Sequence, residues 1–307
     1  MAADHELIIA CLRELGGIDL ARVRGWTRLP GAASGSSVYR LDLDHDEMLV
    51  LKVSPGPVSE GAWRELRFYQ EVAGHLPVRT PRLVAGRTTT GWTCLFLSVA
   101  DPSPPAAEWT TGRWLEAARQ LGLLHRPEVA SRAGRHSWLR GGPPAASTQV
   151  TSERDRARRI WGTLEQAQLA GPLLDVLDQL SAAVEAVPVC LVHGDCHAGN
   201  LLLDPVDGRL VWTDWQAAGF GHGPEDLALL WQRGEFDGGR PPREEMLEVY
   251  ARTREIHDRP RLHRAAIGAE IRLALLGWPS FLSAAPSSRR EVIYRRLAAL
   301  GREWAAA

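Results

Sequence analysis

The sequence predicts an α+β fold in two lobes, a small one built on an antiparallel sheet over residues 1–100 and a larger, mainly helical one over residues 101–307. Three observations predict it. Short apolar, β-rich runs cluster early, at 38–43, 48–53, 82–86 and 93–99, with a single helical pattern among them. The polar, Pro-rich segment Asp101-Pro102-Ser103-Pro104-Pro105 then interrupts the chain, as a connection between lobes does. Beyond it helical periodicity prevails to the end, and 307 residues suffice for two lobes with a sizeable core.

Taken in order, residues 4–15 have helical spacing. Leu29 to Leu41 is a small-residue loop feeding a strand, with Ser34, Gly35, Ser36 and Ser37 at its centre. Small residues there let backbone N–H groups approach an anion closely. Met48-Leu49-Val50-Leu51-Lys52-Val53 is a clear β pattern, and apolar residues at 62, 66, 69, 72 and 73 give the following segment helical spacing. A helix from Trp114 to His125 opens the larger lobe, and residues 127–150, rich in Gly, Pro, Ser and Arg, read as a loop-like insertion. Helices follow near 152–186, 224–232, 243–256, 262–277 and 287–304.

The chemistry concentrates in one stretch, His193-Gly194-Asp195-Cys196-His197-Ala198-Gly199-Asn200, with Asp214-Trp215-Gln216 shortly after. Apolar runs, 187–192 and 210–213, lead into both, so each acid lies where a strand ends and a loop begins. Phosphoryl transfer needs such a set: one carboxylate to orient the attacking hydroxyl, and an amide with a second carboxylate to hold magnesium on nucleotide phosphates.

The order His-x-Asp-x-x-x-x-Asn followed by a second Asp resembles the catalytic half of the protein-kinase-like fold. The Gly of His193-Gly194-Asp195, the Trp of Asp214-Trp215-Gln216 and the run Gly223-Pro224-Glu225-Asp226-Leu227-Ala228 are more similar to the aminoglycoside phosphotransferase and choline kinase family. No Phe-Gly follows Asp214, and no Ala-Pro-Glu follows later, as protein kinases would have. The resemblance implies ATP and Mg2+ as cofactors, Asp195 as the catalytic residue, and Asn200 and Asp214 as metal ligands. ATP is expected between the lobes, its phosphates touched by Lys52 and the Ser34–Ser37 loop and its adenine against the connection near Leu97 and Val99. It also implies that Asp226 receives backbone N–H groups beneath the catalytic loop. One departure is Gln216, where the family often has a third acid.

Lys52 stands out independently. It is the only lysine, against 35 arginines (36 basic residues less one), and a phosphate-contacting ammonium resists replacement by a planar guanidinium. It falls on the strand where the kinase-like fold carries its nucleotide lysine. Its expected partner is Glu65, within Arg64-Glu65-x-x-Phe68-Tyr69, with Glu60 near the helix start as competitor.

Composition bounds the rest. With 45% hydrophobic and 24% charged residues and a net charge of −1, bulk electrostatics point to neither nucleic acid nor an anionic membrane as partner. No apolar run reaches spanning length, the N-terminus with Asp4, His5 and Glu6 is unlike a signal peptide, and cysteines 11, 94, 190 and 196 form no Cys-x-x-Cys pair, so a reducing cytoplasm is expected. Cys190, His193, Cys196 and His197 are zinc-ligand types, but Cys190 and His193 sit an odd number of positions apart on an expected strand and face opposite sides. His193 reads instead as a brace for the loop, and His125 and His222 as structural or surface residues. The leading reading is therefore an ATP-dependent kinase for a hydroxyl of a small molecule, an antibiotic first. A metabolic kinase for choline, homoserine, a sugar or a fructosamine-like amine is the second, and a silent nucleotide-binding protein the third. Trp231, Trp278 and Phe281 are candidates to line the acceptor site, with core packing as the default for each.

Overall fold

A computed structural model of the protein describes residues 2–15, 20–29, 35–55, 60–140 and 147–306. The chain divides into two compact units, the first formed by Met1–Pro102 with Leu201–Ala218 and the second by Ser103–Asn200 with Gly219–Ala307.

In the first unit, helix α1 (Ala2–Leu15) precedes strands β1 (Val23–Arg28), β2 (Ser37–Leu43) and β3 (Met48–Pro55). Helix α2 (Glu60–Glu71) and strands β4 (Leu83–Thr88) and β5 (Trp92–Ser98) complete an antiparallel sheet in the order β1-β2-β3-β5-β4. The period-two alternation sorts its faces. Tyr39, Leu41, Leu51, Val53, Cys94 and Phe96 pack in one core with Ile8, Cys11 and Leu12 of α1. Lys52, between Leu51 and Val53, therefore points to the other face, where α2 lies over β4 and β5. Strand β1 is an addition to the expected elements. Its polar sequence, Val-Arg-Gly-Trp-Thr-Arg, hides the alternation because it is an edge strand with one neighbour. A hairpin of Leu201–Leu203 and Leu210–Trp212 joins this unit through Arg79, which pairs with Asp204 and Asp207 at 2.7 and 2.9 Å.

The second unit is mainly helical. Its helices are α3 (Thr111–Leu124), α4 (Pro127–Ala133), α5 (Ser147–Trp161), α6 (Ala170–Asp175), α7 (Leu177–Glu185), α8 (Gly223–Phe236), α9 (Arg243–Arg254), α10 (Arg259–Arg272), α11 (Pro279–Leu282) and α12 (Ser287–Ala306). The expected loop-like insertion over 127–150 contains helix among its described residues: α4, with Pro127 in its first turn, and a helical turn at Ser137–Arg140. The expected 152–186 helix is three, interrupted after Trp161 and again before Leu177. The core gathers Trp161, Leu174, Leu177 and Leu180 with Ile267, Ile271 and Leu275, and with Ile293, Leu297 and Leu300 of α12. A two-stranded antiparallel ribbon, Val189–Val192 with Gly219–His222, leads into the 193–200 loop and returns at the start of α8. Among the described residues no helix is long and apolar enough to cross a membrane.

Candidate active site

In the first unit Lys52 ends up nearly closed off from solvent, with Nζ 2.7 Å from Glu65 Oε2 and 2.8 Å from Asp214 Oδ1. Burial works against its charge, but the two carboxylates outweigh that and hold its pKa above the ordinary lysine value. Burial pushes Glu65 the other way, above the usual carboxylate range, against the pull of Lys52. Glu60, the competing partner, is exposed and lies 4.0 Å from Arg64 instead.

Two side chains of α2 serve one turn of backbone after the hairpin. Asp214 adopts a left-handed conformation at φ 63°, uncommon for a residue with a Cβ but one that Asp reaches more readily than most. Arg64 donates to the Ala218 carbonyl at 2.6 Å, and Phe68 stacks on Trp215 with ring centroids 4.3 Å apart. The Trp215 indole N–H is bonded back to the Trp212 carbonyl at 3.0 Å. Arg64 and Phe68 thus anchor the turn that carries Asp214, while Glu65 between them meets the same ammonium that Asp214 does. Gln216 lies against the first turn of α2, 3.6 Å from where a Cβ on Gly61 would stand.

The second unit carries Asp195. Its loop is supported from beneath by Asp226, which accepts from the backbone N–H of His193 at 2.7 Å and of Gly194 at 2.9 Å. His125 stands 3.1 Å from the same carboxylate, its other ring nitrogen meets Tyr250 Oη at 3.0 Å, and Arg254 donates to Tyr250 Oη and to the His125 carbonyl. Burial keeps His125 below its ordinary pKa, whereas donors hold the equally buried Asp226 below its own despite the desolvation. The Asp195 N–H donates to His193 Nδ1 at 3.3 Å, which makes His193 the brace of the turn. Asn200 donates through Nδ2 to the Asp195 carbonyl and to Oδ2, at 2.8 and 3.1 Å. The amide oxygen is then its group of the type a hard cation takes, and the carboxylate of Asp214 is of the same type, so both residues fit a magnesium ion by donor chemistry. Asp195, half-buried, is held below the usual carboxylate range, first by His197 and, more weakly, by Asn200 and His193, against desolvation.

Of the other expected residues, Ser34 lies outside the described residues. Gly35 takes a positive φ of 76°, Ser36 Oγ bonds Ser54 Oγ at 2.7 Å, and Ser37 Oγ accepts from Arg28 at 3.2 Å. Leu97 is buried within β5, opposite Val50 on one side and Leu83 on the other, and Val99 follows the strand's end. Trp231 and Trp278 are buried, the latter bonded to Gln232 at 2.8 Å, while Phe281 is 60% exposed. Cys190 and Cys196 are buried thiols, the first pushed up to about 12 by desolvation. His197, His125, Tyr250 and Arg254 are the contributors that local pattern missed. None repeats with a period, and only the fold gathers the last three around Asp226.

The model of the APH phosphotransferase enzyme family matches residues 25–264, most of the chain. The chain belongs to this family. As an APH-family member it is an enzyme, a small-molecule kinase, and the family implies ATP use. Solved structures agree on the protein-kinase-like fold. A choline/ethanolamine kinase family protein from Mesorhizobium loti matches at TM-score 0.65 and 16% identity, over 99% of this chain and 97% of its own. The macrolide 2'-phosphotransferase MphH from Brachybacterium faecium matches at 0.60 and 19%, over 96% and 98%. The amicoumacin kinase hAmiN, in complex with AMP-PNP, Ca2+ and Ami, matches at 0.63 and 11%, over 98% and 94%. At these identities the likeness speaks for the fold. No curated protein matches the chain by sequence.

Proposed function

We propose that this APH-family enzyme moves the γ-phosphate of ATP to a hydroxyl of a small molecule, with an antibiotic as the first acceptor class to test. The observation that carries the nucleotide half is the burial of the sole lysine between Glu65 and Asp214. An ammonium held by two carboxylates is a preformed point charge for phosphate oxygens, and Glu65 keeps it in place. Residues 1–100 would bind the nucleotide, with Leu97 and Val99 at the adenine and Gly35 to Ser37 at the phosphates. Residues 101–307 would supply Asp195 and the acceptor site.

In this reading Asp195 orients the acceptor hydroxyl for in-line attack on the γ-phosphorus. The transition state is loose, so position and charge count for more than full proton removal. An ionised Asp195 suits that task, and its lowered pKa keeps it ionised. Asn200 and Asp214 would hold magnesium, which supplies charge for the phosphate oxygens when bound. The antibiotic reading draws support from the macrolide and amicoumacin kinases among the structural relatives, and a metabolic acceptor from the choline/ethanolamine kinase family protein. A kinase of this kind would work in the cytoplasm, where ATP is.

The test is magnesium-dependent ADP release across macrolides, aminoglycosides, amicoumacin, choline, homoserine and sugars, with Asp195→Ala alongside. Turnover with one acceptor, lost in the variant, is the expected result. Turnover that survives Asp195→Ala would remove Asp195 from the mechanism. ATP binding with no turnover on any acceptor would favour a silent nucleotide-binding protein.

A further inference from the structure

His197 has no part in the proposed reaction, yet its ring is bonded to the 193–200 loop on one side and faces Asp195 on the other. Nδ1 accepts a hydrogen bond from the Gly199 backbone N–H at 3.1 Å. A backbone amide can only donate, so Nδ1 carries no proton and the neutral ring keeps its proton on Nε2. Nε2 stands 3.7 Å from Asp195 Oδ2. That is about 0.8 Å beyond an N–H···O bond, a charge–dipole contact that a small rotation would close. Gly199 contributes through its size as well. A Cβ there would lie 3.0 Å from His197 Cε1 and 3.1 Å from Nδ1, so the ring occupies the space a side chain would take. The backbone at 199 is outside the left-handed region, so it is the ring that needs the glycine.

The two oxygens of Asp195 are thereby made unequal. Oδ2 receives Asn200 Nδ2 at 3.1 Å and faces His197 Nε2, whereas Oδ1 has no hydrogen-bond partner among the described residues. The side chain of Asp195 is 37% exposed, so that second oxygen is reachable. We infer that His197 is a positioning residue: its Nε2–H, with Asn200 Nδ2, holds Oδ2 of Asp195 and leaves Oδ1 as the oxygen that meets the acceptor hydroxyl. The inference rests on the reading of Asp195 as the residue that orients the acceptor. A carboxylate free to rotate would present either oxygen, and misplacement by a fraction of an ångström at a reacting group is costly in rate.

Two measurements test it on the full-length chain. Long-range 1H–15N correlation spectra of the His197 ring should show the Nε2–H tautomer, and Asp195→Asn should shift its Nε2 resonance because the facing oxygen loses its charge. An Nδ1–H ring, or an Nε2 resonance indifferent to Asp195→Asn, overturns the inference whether or not an acceptor is known. The second is ADP release from magnesium-ATP, with water or with an acceptor the panel identifies. His197→Ala should lower kcat roughly tenfold to a hundredfold with the KM for ATP unchanged. His197→Gln, whose amide N–H can reach the same oxygen, should recover part of it, and Gly199→Ala should behave as His197→Ala with the imidazole still present. Wild-type kcat in His197→Ala overturns the inference alone if Asp195→Ala is dead. Turnover in Asp195→Ala overturns the reading beneath it. Thermal melts of each variant separate lost folding from lost positioning, and the wild-type spectrum stands apart from either.

Discussion

Lys52 carries a full charge into a nearly closed environment because two carboxylates meet it there, at 2.7 and 2.8 Å. Removing the charge and keeping the volume, Lys52→Met, leaves the buried Glu65 and the partly buried Asp214 without compensation. The expected cost is roughly 3–5 kcal/mol, read from urea unfolding, with loss of turnover. Lys52→Arg keeps the charge but replaces a compact ammonium with a planar fork, so stability should recover more than activity does. Equal recovery of both would make Lys52 a structural ion and nothing more. The lysine was legible in the sequence from its uniqueness and its strand. Its partner was harder, since Glu60 and Glu65 lie on one helix and only its packing separates a side chain that is 76% exposed from one that is 2% exposed.

At the level of elements, the start of α8 and the end of α3 meet in one buried polar network around Asp226. Gly223 is obligatory there: a Cβ would stand 2.0 Å from Tyr250 Oη and 2.6 Å from His125 Nδ1. Gly223→Ala should cost roughly 1–3 kcal/mol by overpacking and loosen the loop that bears Asp195, seen as a lower urea midpoint and a lower kcat. The same network sets a pH dependence. His125 is held neutral by burial, so below about pH 6.5 the unfolded chain binds a proton that the folded one refuses, and stability falls as the pH drops towards the folded pKa. Asp226 acts in the same direction further down, since its lowered pKa stabilises the fold above about pH 3.9 and that contribution fades as the pH falls through the folded value. Urea midpoints between about pH 7 and pH 5 should decline in the wild type and decline less in His125→Gln. Equal slopes would exclude His125 as the source. The sequence announced the Pro-x-Asp-Leu-Ala start of α8 but not this network, because Asp226, His125 and Tyr250 are joined over separations of 101 and 125 residues.

For the molecule as a whole, ligand binding to the native state adds its own free energy to folding. Magnesium with ATP at about a hundred times its Kd should stabilise the wild type by about 2.7 kcal/mol. Chelation by EDTA, or Asp214→Ala, should abolish the magnesium-dependent share of that gain in a thermal-shift assay. A full shift in Asp214→Ala would remove it as a metal ligand. What the sequence determined by itself was the inventory and its order: the α+β division, the single lysine on a strand, and the Asp195, Asn200 and Asp214 set behind apolar runs. These signals are local, because periods of 2 and 3.6 residues and motif spacings are written within a few turns of chain. The edge strand β1, the turn held by Arg64 and Phe68, and the His125 network were decided by tertiary structure. Lys52 and Asp214 meet across 162 residues, and nothing local selects that contact over another acid. Burial selects it, since an ammonium on the covered face of the sheet must find carboxylates there or lose its charge.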